Sequence, residues 1–272
     1  MKLKVAHILV LALIILSVLS CSEYNEILKS GDNERKREYS LKMYEEKQYI
    51  KSATLLEDII PYYKLTPHGE NLYFTYCMAN YYLGDYYLSG YYFKRFIKQY
   101  PSSKHCEEAQ FLSAICAVQN SPNYKLDQTE TLNALDELQI FIDIYPESNR
   151  IDTCNQIMDR LRGKLELKQF ESSMLYYKTE NYKAAVVAFE GTLESYPESV
   201  YKEEILYHIV KSSYLLAINS IESKKRERLE ATLKSYRTFV AAFPESKWRT
   251  EVDNIKSKTD KELEIMTENS QQ

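Results

Sequence analysis

The 272-residue chain is poor in the residues that interrupt regular structure, with 6 glycines and 7 prolines. Turn-rich β-sheet proteins and collagen-like repeats need more of both, because their turns use positive φ or the fixed φ of proline. The chain also lacks an excess of positive charge, with 35 Lys+Arg against 39 Asp+Glu, so its composition gives no reason to expect a nucleic-acid ligand. A hydrophobic fraction of 44% excludes a disordered composition. These features favour a mostly helical globular protein.

Sequence motifs of the common enzyme classes are also missing, including GxSxG, HExxH, a Walker loop and GxGxxG. His105 lies beside Cys106 and Glu107, but we expect this trio to form only the exposed first turn of a repeat helix. The cysteines form no CxxC motif, and we expect them to be buried free thiols at Cys77, Cys106, Cys116 and Cys154. We therefore expect no enzyme activity, no cofactor and no metal ion.

The first 21 residues have the features of a bacterial export signal. A basic start at Lys2 and Lys4 precedes an apolar run, Val5–Leu19. As a helix this run spans about 22 Å, less than the roughly 30 Å hydrocarbon core of a membrane. It ends in Ser20-Cys21, and a small residue before a cysteine at this place resembles the lipobox of lipoproteins. The resemblance implies that Cys21 carries lipid; an ordinary secretory signal with an incidental cysteine is the alternative.

The residue after the cysteine bears on the destination of such a lipoprotein. Ser22 stands where an aspartate retains lipoproteins at the inner membrane in some Gram-negative bacteria, so we expect the outer membrane. Ser22-Glu23 also begins like an acidic surface-export signal, but Tyr24-Asn25 interrupts that run. We expect the periplasmic face and keep the cell surface as the alternative.

A short pattern, aromatic-Pro-x-Ser, occurs four times and begins at Tyr100, Tyr145, Tyr196 and Phe243. The residues eight and five positions before each proline lie on one side of a helix and are large in seven of eight places, the exception being Thr192: Phe93, Phe96, Leu138, Phe141, Phe189, Thr192, Tyr236 and Phe239. Small residues recur twelve positions before each proline, at Ser89, Ala134, Ala185 and Thr232. Residues able to be buried recur eight positions after it, at Ala109, Cys154, Ile205 and Val252. Proline ends the first helix and the serine can cap the next. Each unit is therefore predicted to be a helix, a corner and another helix.

These units resemble the tetratricopeptide repeat (TPR), in which stacked helix pairs bury a continuous core. The predicted fold class is all-α, a TPR superhelical solenoid of about five repeats plus a C-terminal capping helix. The predicted boundaries are a signal peptide at 1–20, a lipidated linker at 21–32 and a solenoid at 33–268, with repeats at 33–67, 70–103, 104–148, 149–199 and 200–246 and a terminal helix at 247–267. The extra length of the third and fifth repeats is expected in loops at 120–129 and 223–228.

Tyrosine is abundant, with 25 Tyr against 9 Phe and 1 Trp, and aromatic residues are densest between Tyr73 and Phe96. Tyrosine offers apolar area together with a hydroxyl, which suits a peptide-binding surface. By repeat position, the predicted peptide groove consists of Arg37, Tyr44, Phe74, Met78, Tyr81 and Tyr82. Simple packing, or contact with another subunit, is the alternative.

The lipobox, a short linker and five TPRs with repeated Tyr-Pro-x-Ser corners together resemble the BamD family, lipoprotein subunits of the β-barrel assembly machinery of Gram-negative bacteria. The resemblance implies a lipid-anchored, non-enzymatic scaffold at the outer membrane that takes part in outer-membrane protein assembly. It implies as partners the Omp85-type barrel protein BamA, other subunits of the machinery and unfolded outer-membrane proteins. The alternatives are a TPR lipoprotein of Tol-associated constriction or of pilus assembly, and a surface lipoprotein that binds peptide or glycan.

Overall fold

The computed structural model describes residues 23–269. Over this range the chain forms a short helical segment at 23–29 and eleven longer helices. These are α1 (Asn33–Glu45), α2 (Tyr49–Tyr63), α3 (Gly69–Tyr82), α4 (Tyr86–Gln99), α5 (Cys106–Asn120), α6 (Thr129–Ile144), α7 (Ile151–Lys178), α8 (Tyr182–Ser195), α9 (Lys202–Ile218), α10 (Glu222–Ala242) and α11 (Arg249–Asn269). The predicted all-α, TPR-type fold class is confirmed. The predicted signal peptide and Cys21 lie outside the described residues.

The chain divides into two compact units, with the division inside α7, between Met158 and Asp159. In unit 1, consecutive helices from α1 to α6 pack against one another, and in unit 2 consecutive helices from α8 to α11 do the same. Within residues 23–269, no helix combines the length and the apolar character needed to cross a membrane.

Each aromatic-Pro-x-Ser corner ends one helix and begins the next, as predicted. At the first corner, Tyr100 has left the helical region, with φ −128°, while its N–H still donates to the carbonyl of Phe96 at 2.8 Å. The hydroxyl of Ser103 accepts from the N–H of His105 at 3.0 Å, and its carbonyl accepts from the N–H of Cys106 at 3.1 Å. The same hydroxyl turn recurs at Ser148, Ser199 and Ser246. The serine therefore caps a tight first turn, and the α-helix begins three residues later.

The corner serines have a second role that the sequence did not predict. In three corners the serine hydroxyl donates a hydrogen bond to a glutamate in the first helix of the same repeat. These pairs are Ser103–Glu70 at 2.6 Å, Ser148–Glu107 at 2.6 Å and Ser199–Glu166 at 2.5 Å. A hydrogen bond to a carboxylate is stronger than a neutral one, so each pair ties the corner to the helix that precedes it in the stack.

The predicted core positions are confirmed. The bulky positions with no solvent exposure are Phe93, Phe96, Leu138, Phe141, Phe189, Thr192 and Phe239. The small residues twelve positions before each proline are also fully buried, namely Ser89, Ala134, Ala185 and Thr232. The residues eight positions after each proline are fully buried as well, namely Ala109, Cys154, Ile205 and Val252. Tyr236 differs, because it is half-buried and its hydroxyl donates to Asp253 at 2.7 Å. The four cysteines at 77, 106, 116 and 154 are buried, as expected.

One of the two expected loops is wrong. Residues 121–128 connect α5 to α6, as predicted. Residues 223–228, however, lie inside α10, which begins at Glu222. This stretch has no glycine or proline, and its lysines, arginines and glutamate favour helix, so the extra residues lengthen α10.

The two helices of a repeat are joined by what we term intra-repeat turns. In three of these turns one residue adopts positive φ, namely Lys47 at 59°, Gly84 at 79° and Glu180 at 60°. The residue after the positive-φ position directly precedes the second helix of the repeat. At the second turn this residue is Asp85, whose carboxylate accepts a hydrogen bond from the N–H of Leu88 at 3.1 Å. A tyrosine follows directly, and two of these tyrosines, Tyr49 and Tyr86, lie close to the candidate site in unit 1.

Candidate functional site

Three of the predicted groove residues meet in one aromatic cluster in unit 1. The ring centroid of Tyr82, at the end of α3, lies 6.3 Å from that of Tyr44 and 5.8 Å from that of Tyr81. Tyr49, the first residue of α2, stacks on Tyr82 with ring centroids 4.8 Å apart, although it is not among the predicted groove residues. We call these four residues the tyrosine cluster. Tyr82 is 51% exposed, whereas Tyr44 and Tyr81 are half-buried.

The hydroxyls of Tyr44 and Tyr81 are donors at neutral pH. Burial raises the pKa of Tyr44 to about 12, and the neighbouring Tyr82 adds to the effect. Burial also raises the pKa of Tyr81. A protonated phenol can donate a hydrogen bond while its ring offers apolar area. The cluster can therefore contact both the backbone carbonyls and the apolar side chains of an extended peptide.

Arg37 lies two helical turns before Tyr44 on α1 and is engaged by its own helix. Its Nε donates to both carboxylate oxygens of Glu34 at 3.0 Å, and the hydroxyl of Tyr63 donates to the same carboxylate at 2.9 Å. Hydrogen bonds from Arg37 and then Tyr63 hold the pKa of Glu34 at about 2. The positive charge of Arg37 is thus fixed at the other end of α1 from the tyrosine cluster.

Phe74 does not line an open surface, in contrast to its predicted groove position. Its side chain is 9% exposed, its ring stacks on His105 with centroids 4.3 Å apart, and it packs beside Phe93 and Phe96. His105 is in turn half-buried rather than exposed. Met78 is half-buried against the same core. Phe74 is therefore a packing residue of unit 1.

The stacking of Phe74 recurs at the same position of later repeats. In two equivalent pairs the ring centroids are stacked, 4.5 Å apart for Phe170 and Tyr201 and 4.9 Å apart for Tyr207 and Trp248. In the third pair the guanidinium carbon of Arg150 lies 4.8 Å from the ring centroid of Phe111. In each pair the partner lies two residues after a corner serine. A flat or cationic residue at that place in four corners is a sequence signal that could have identified Phe74 as a packing residue.

Unit 2 contains a surface pocket that the sequence did not single out. It has a volume of about 530 Å³ and is lined by α8, α9 and α10. Val186, Leu206 and Ile209 supply apolar walls, and Glu190 and Lys234 bring opposite charges to the same pocket. An apolar recess flanked by both signs of charge suits a side chain of another protein.

Comparison with known proteins agrees with the resemblance to the BamD family. The family model of the outer membrane lipoprotein YfiO matches residues 35–229. The outer membrane protein assembly factor BamD of Caulobacter vibrioides is 26% identical over 132 residues, which cover 48% of this chain and 43% of that protein. The outer membrane protein assembly factor BamD of Rickettsia prowazekii is 23% identical over 188 residues, covering 67% of this chain and 72% of that protein.

The match to the Caulobacter protein spans less than half of that protein's length, whereas the family match runs through most of the described helices. It includes the tyrosine cluster, three of the four corners and part of the unit 2 pocket. On this match, the chain belongs to the YfiO family of outer membrane lipoproteins.

Proposed function

We propose that this chain is an outer-membrane protein assembly factor. It acts as a non-enzymatic TPR scaffold, anchored through lipid on Cys21 and facing the periplasm. Its partners are a BamA-type Omp85 barrel protein, other subunits of the assembly machinery and unfolded outer-membrane proteins. The observation that carries the proposal is the family match over residues 35–229, because two relatives of this chain are named as assembly factors.

The groove of unit 1 receives the unfolded client. Its surface is the tyrosine cluster, of which Tyr82 is the exposed member, with Met78 beside it, Phe74 beneath it and the charge of Arg37 further along α1. Strands of β-barrel proteins are rich in aromatic and apolar residues, and extended chains present unpaired backbone carbonyls. Tyrosine rings with protonated hydroxyls match both features, and they lose little side-chain entropy on binding.

The pocket of unit 2 accepts the barrel-forming partner. Its apolar walls between α8 and α10 provide an anchor site, and Glu190 and Lys234 provide polar contacts at the rim. A recess of this kind favours one inserted side chain surrounded by weaker contacts, as at many protein interfaces. The clients and the partner subunit thus have separate sites on the chain.

Depletion in the native bacterium tests the assembly role. Conditional loss of the chain should reduce the amount of folded outer-membrane β-barrel proteins, measured by their heat-modifiable migration in gels, while other outer-membrane lipoproteins keep their levels. Unchanged barrel proteins accompanied by defects in cell constriction or piliation would contradict the proposal and favour the other envelope systems.

A peptide-binding measurement tests the groove. The peptide is the C-terminal strand of an outer-membrane barrel protein that ends in an aromatic residue. Replacing two cluster residues together, Tyr81→Ala and Tyr82→Ala, should weaken binding by about tenfold or more, because aromatic contacts of this kind contribute 1 kcal/mol or more each. Tyr62→Ala is the matched control, since Tyr62 is another exposed tyrosine of unit 1. Unchanged affinity in a variant with normal helical content would contradict the groove assignment.

A further inference from the structure

The N-terminal end of the described chain is packed onto the first repeat. The helical segment at 23–29 buries Ile27 in a cluster that includes Met43 of α1. The ammonium group of Lys51, at the start of α2, lies 5.4 Å from the ring centroid of Tyr24. Tyr24 therefore lies near the intra-repeat turn that joins α1 to α2, and the segment is held to the body of unit 1.

The proposed lipid anchor lies only two residues before this packed segment. Two residues of extended chain reach at most about 7 Å, from Cys21 to Glu23. This step rests on the proposed function, since it takes Cys21 as the acylated residue. A tether so short holds the neighbouring edge of unit 1 at the membrane surface.

This edge of unit 1 is formed by the intra-repeat turns of its three repeats. The turns are residues 46–48, 83–85 and 121–128. Helices joined by short connections run antiparallel, so alternate connections lie at the same edge. Direct contacts agree: Tyr49 at the first turn stacks on Tyr82 at the second, and one pocket of about 320 Å³ is lined by both Tyr87 and Glu130, at the second and third turns.

Each of the three turns exposes a large apolar or aromatic side chain. Ile50 is 70% exposed, Tyr87 is 65% exposed and Leu126 is 60% exposed, and Leu83 adds a further exposed residue at the second turn. Ile50 and Tyr87 occupy the same repeat position, the second residue of the second helix. In unit 2 the corresponding residue of α8 is the charged Lys183. Exposed apolar side chains that recur along one edge are typical of a surface that contacts a partner or a membrane.

We propose that this edge, defined by Ile50, Leu83, Tyr87 and Leu126, lies in the headgroup layer of the membrane that holds the Cys21 acyl chains. Tyrosine and aliphatic side chains are favourable at that depth, where rings contact acyl chains and hydroxyls contact water or phosphate.

The charges along the edge are mixed, so apolar insertion rather than net charge makes the contact. The lysines are Lys47, Lys51 and Lys125, and the acids are Glu45, Glu46, Asp85 and Asp127. Tyr82 of the tyrosine cluster is the last residue of α3 and directly precedes the second turn, so the contact places the client groove beside the bilayer.

Photo-crosslinking on the full acylated chain tests the proposal. The photoreactive residue p-benzoylphenylalanine replaces Ile50, Tyr87 or Leu126 one at a time, in protein reconstituted in vesicles of phosphatidylethanolamine and phosphatidylglycerol. Leu65 is the matched control, because it is 96% exposed but lies in the connection from α2 to α3, at the opposite edge. We expect phospholipid adducts at the three turn positions in about tenfold excess over Leu65. Equal yields at all four positions, or none at the turns, would overturn the proposal.

The mass of the N-terminal peptide is measured on the same sample. An unmodified Cys21 would remove the tether and overturn the proposal together with the lipid anchor. The depletion of the chain in the native bacterium, described above, tests the assembly role independently. Reduced barrel proteins without lipid adducts would overturn only the membrane contact, whereas adducts with unchanged barrel proteins would support the contact and overturn the assembly role.

Discussion

Truncation of Phe74 distinguishes a side chain that packs between repeats from one that lines an open groove. In the structure this ring is 9% exposed and lies between His105, which stacks on it at 4.3 Å, and the core rings of Phe93 and Phe96. Phe74→Ala removes the ring from all three neighbours at once. The expected effect is therefore on folding stability, with an indirect effect on binding.

The expected loss follows from this burial. Replacing a buried phenylalanine by alanine costs about 3–5 kcal/mol, because transfer energy is lost and a cavity remains. The stacked partner His105 accounts for roughly 0.5–1.5 kcal/mol of this through its aromatic pairing. Tyr82→Ala is the comparison, since a 51% exposed ring should cost about 1 kcal/mol or less.

Guanidinium denaturation followed by far-UV circular dichroism measures both variants against the unchanged chain. We expect a large downward shift of the midpoint for Phe74→Ala and a small one for Tyr82→Ala. A Phe74→Ala protein of nearly normal stability that has lost peptide binding would refute the packing role and restore Phe74 to the groove surface.

Three further predictions concern the corners, the turns and the charges. Ser103→Ala should cost about 1–3 kcal/mol in urea denaturation, because its hydroxyl donates a hydrogen bond to the carboxylate of Glu70 in α3, whereas Ser102→Ala should stay within about 0.5 kcal/mol. Equal losses in the two variants would contradict a stabilising role for the bond between Ser103 and Glu70. Gly84→Ala should destabilise the protein by about 1–2 kcal/mol, because Gly84 has positive φ. Gly191→Ala should stabilise it by roughly 0.5–1 kcal/mol, because Gly191 lies inside α8 with open space around it. Shifts of the same sign for both variants in thermal melts would contradict this prediction. The pKa of Glu34 is lowered from 4.5 to about 2, so the stability it contributes is present above pH 4.5 and is lost as pH falls towards 2. The difference in stability between the wild type and Glu34→Gln should therefore shrink over that window, and a difference constant from pH 6 to pH 2 would contradict the lowered pKa.

The sequence predicted the helix pairs because their signals are local and repeated. Proline after an aromatic residue ends a helix wherever it occurs, so four corners could be located without any knowledge of tertiary contacts. The residue spacing before each proline then defined the buried stripe, which the structure confirms at Phe93, Phe141, Phe189 and Phe239. The loop predicted at 223–228 is wrong because the strong helix propensity of these residues continues α10 through the extra length of the repeat.

The candidate site was predicted less well because its geometry depends on pairs of residues far apart in the chain. The stacking of Phe74 on His105 joins consecutive repeats, and the hydrogen bond from Ser103 to Glu70 joins the two ends of one repeat, 33 residues apart in the chain. Tyr49 reaches the tyrosine cluster only because the positive φ of Lys47 turns the chain beside α3. The repeat positions identified Tyr44, Tyr81 and Tyr82, which the structure brings together, and tertiary contacts decide which of the predicted groove residues are exposed.

The most direct test of the central claim is capture of the tagged full-length chain from detergent-extracted outer membranes, with identification of the proteins that remain bound. The proposed assembly role predicts stoichiometric recovery of an Omp85-type barrel protein, and weaker recovery when the unit 2 pocket is changed by Leu206→Glu. Recovery of Tol–Pal or pilus components, with no Omp85-type protein among the captured partners, would contradict it.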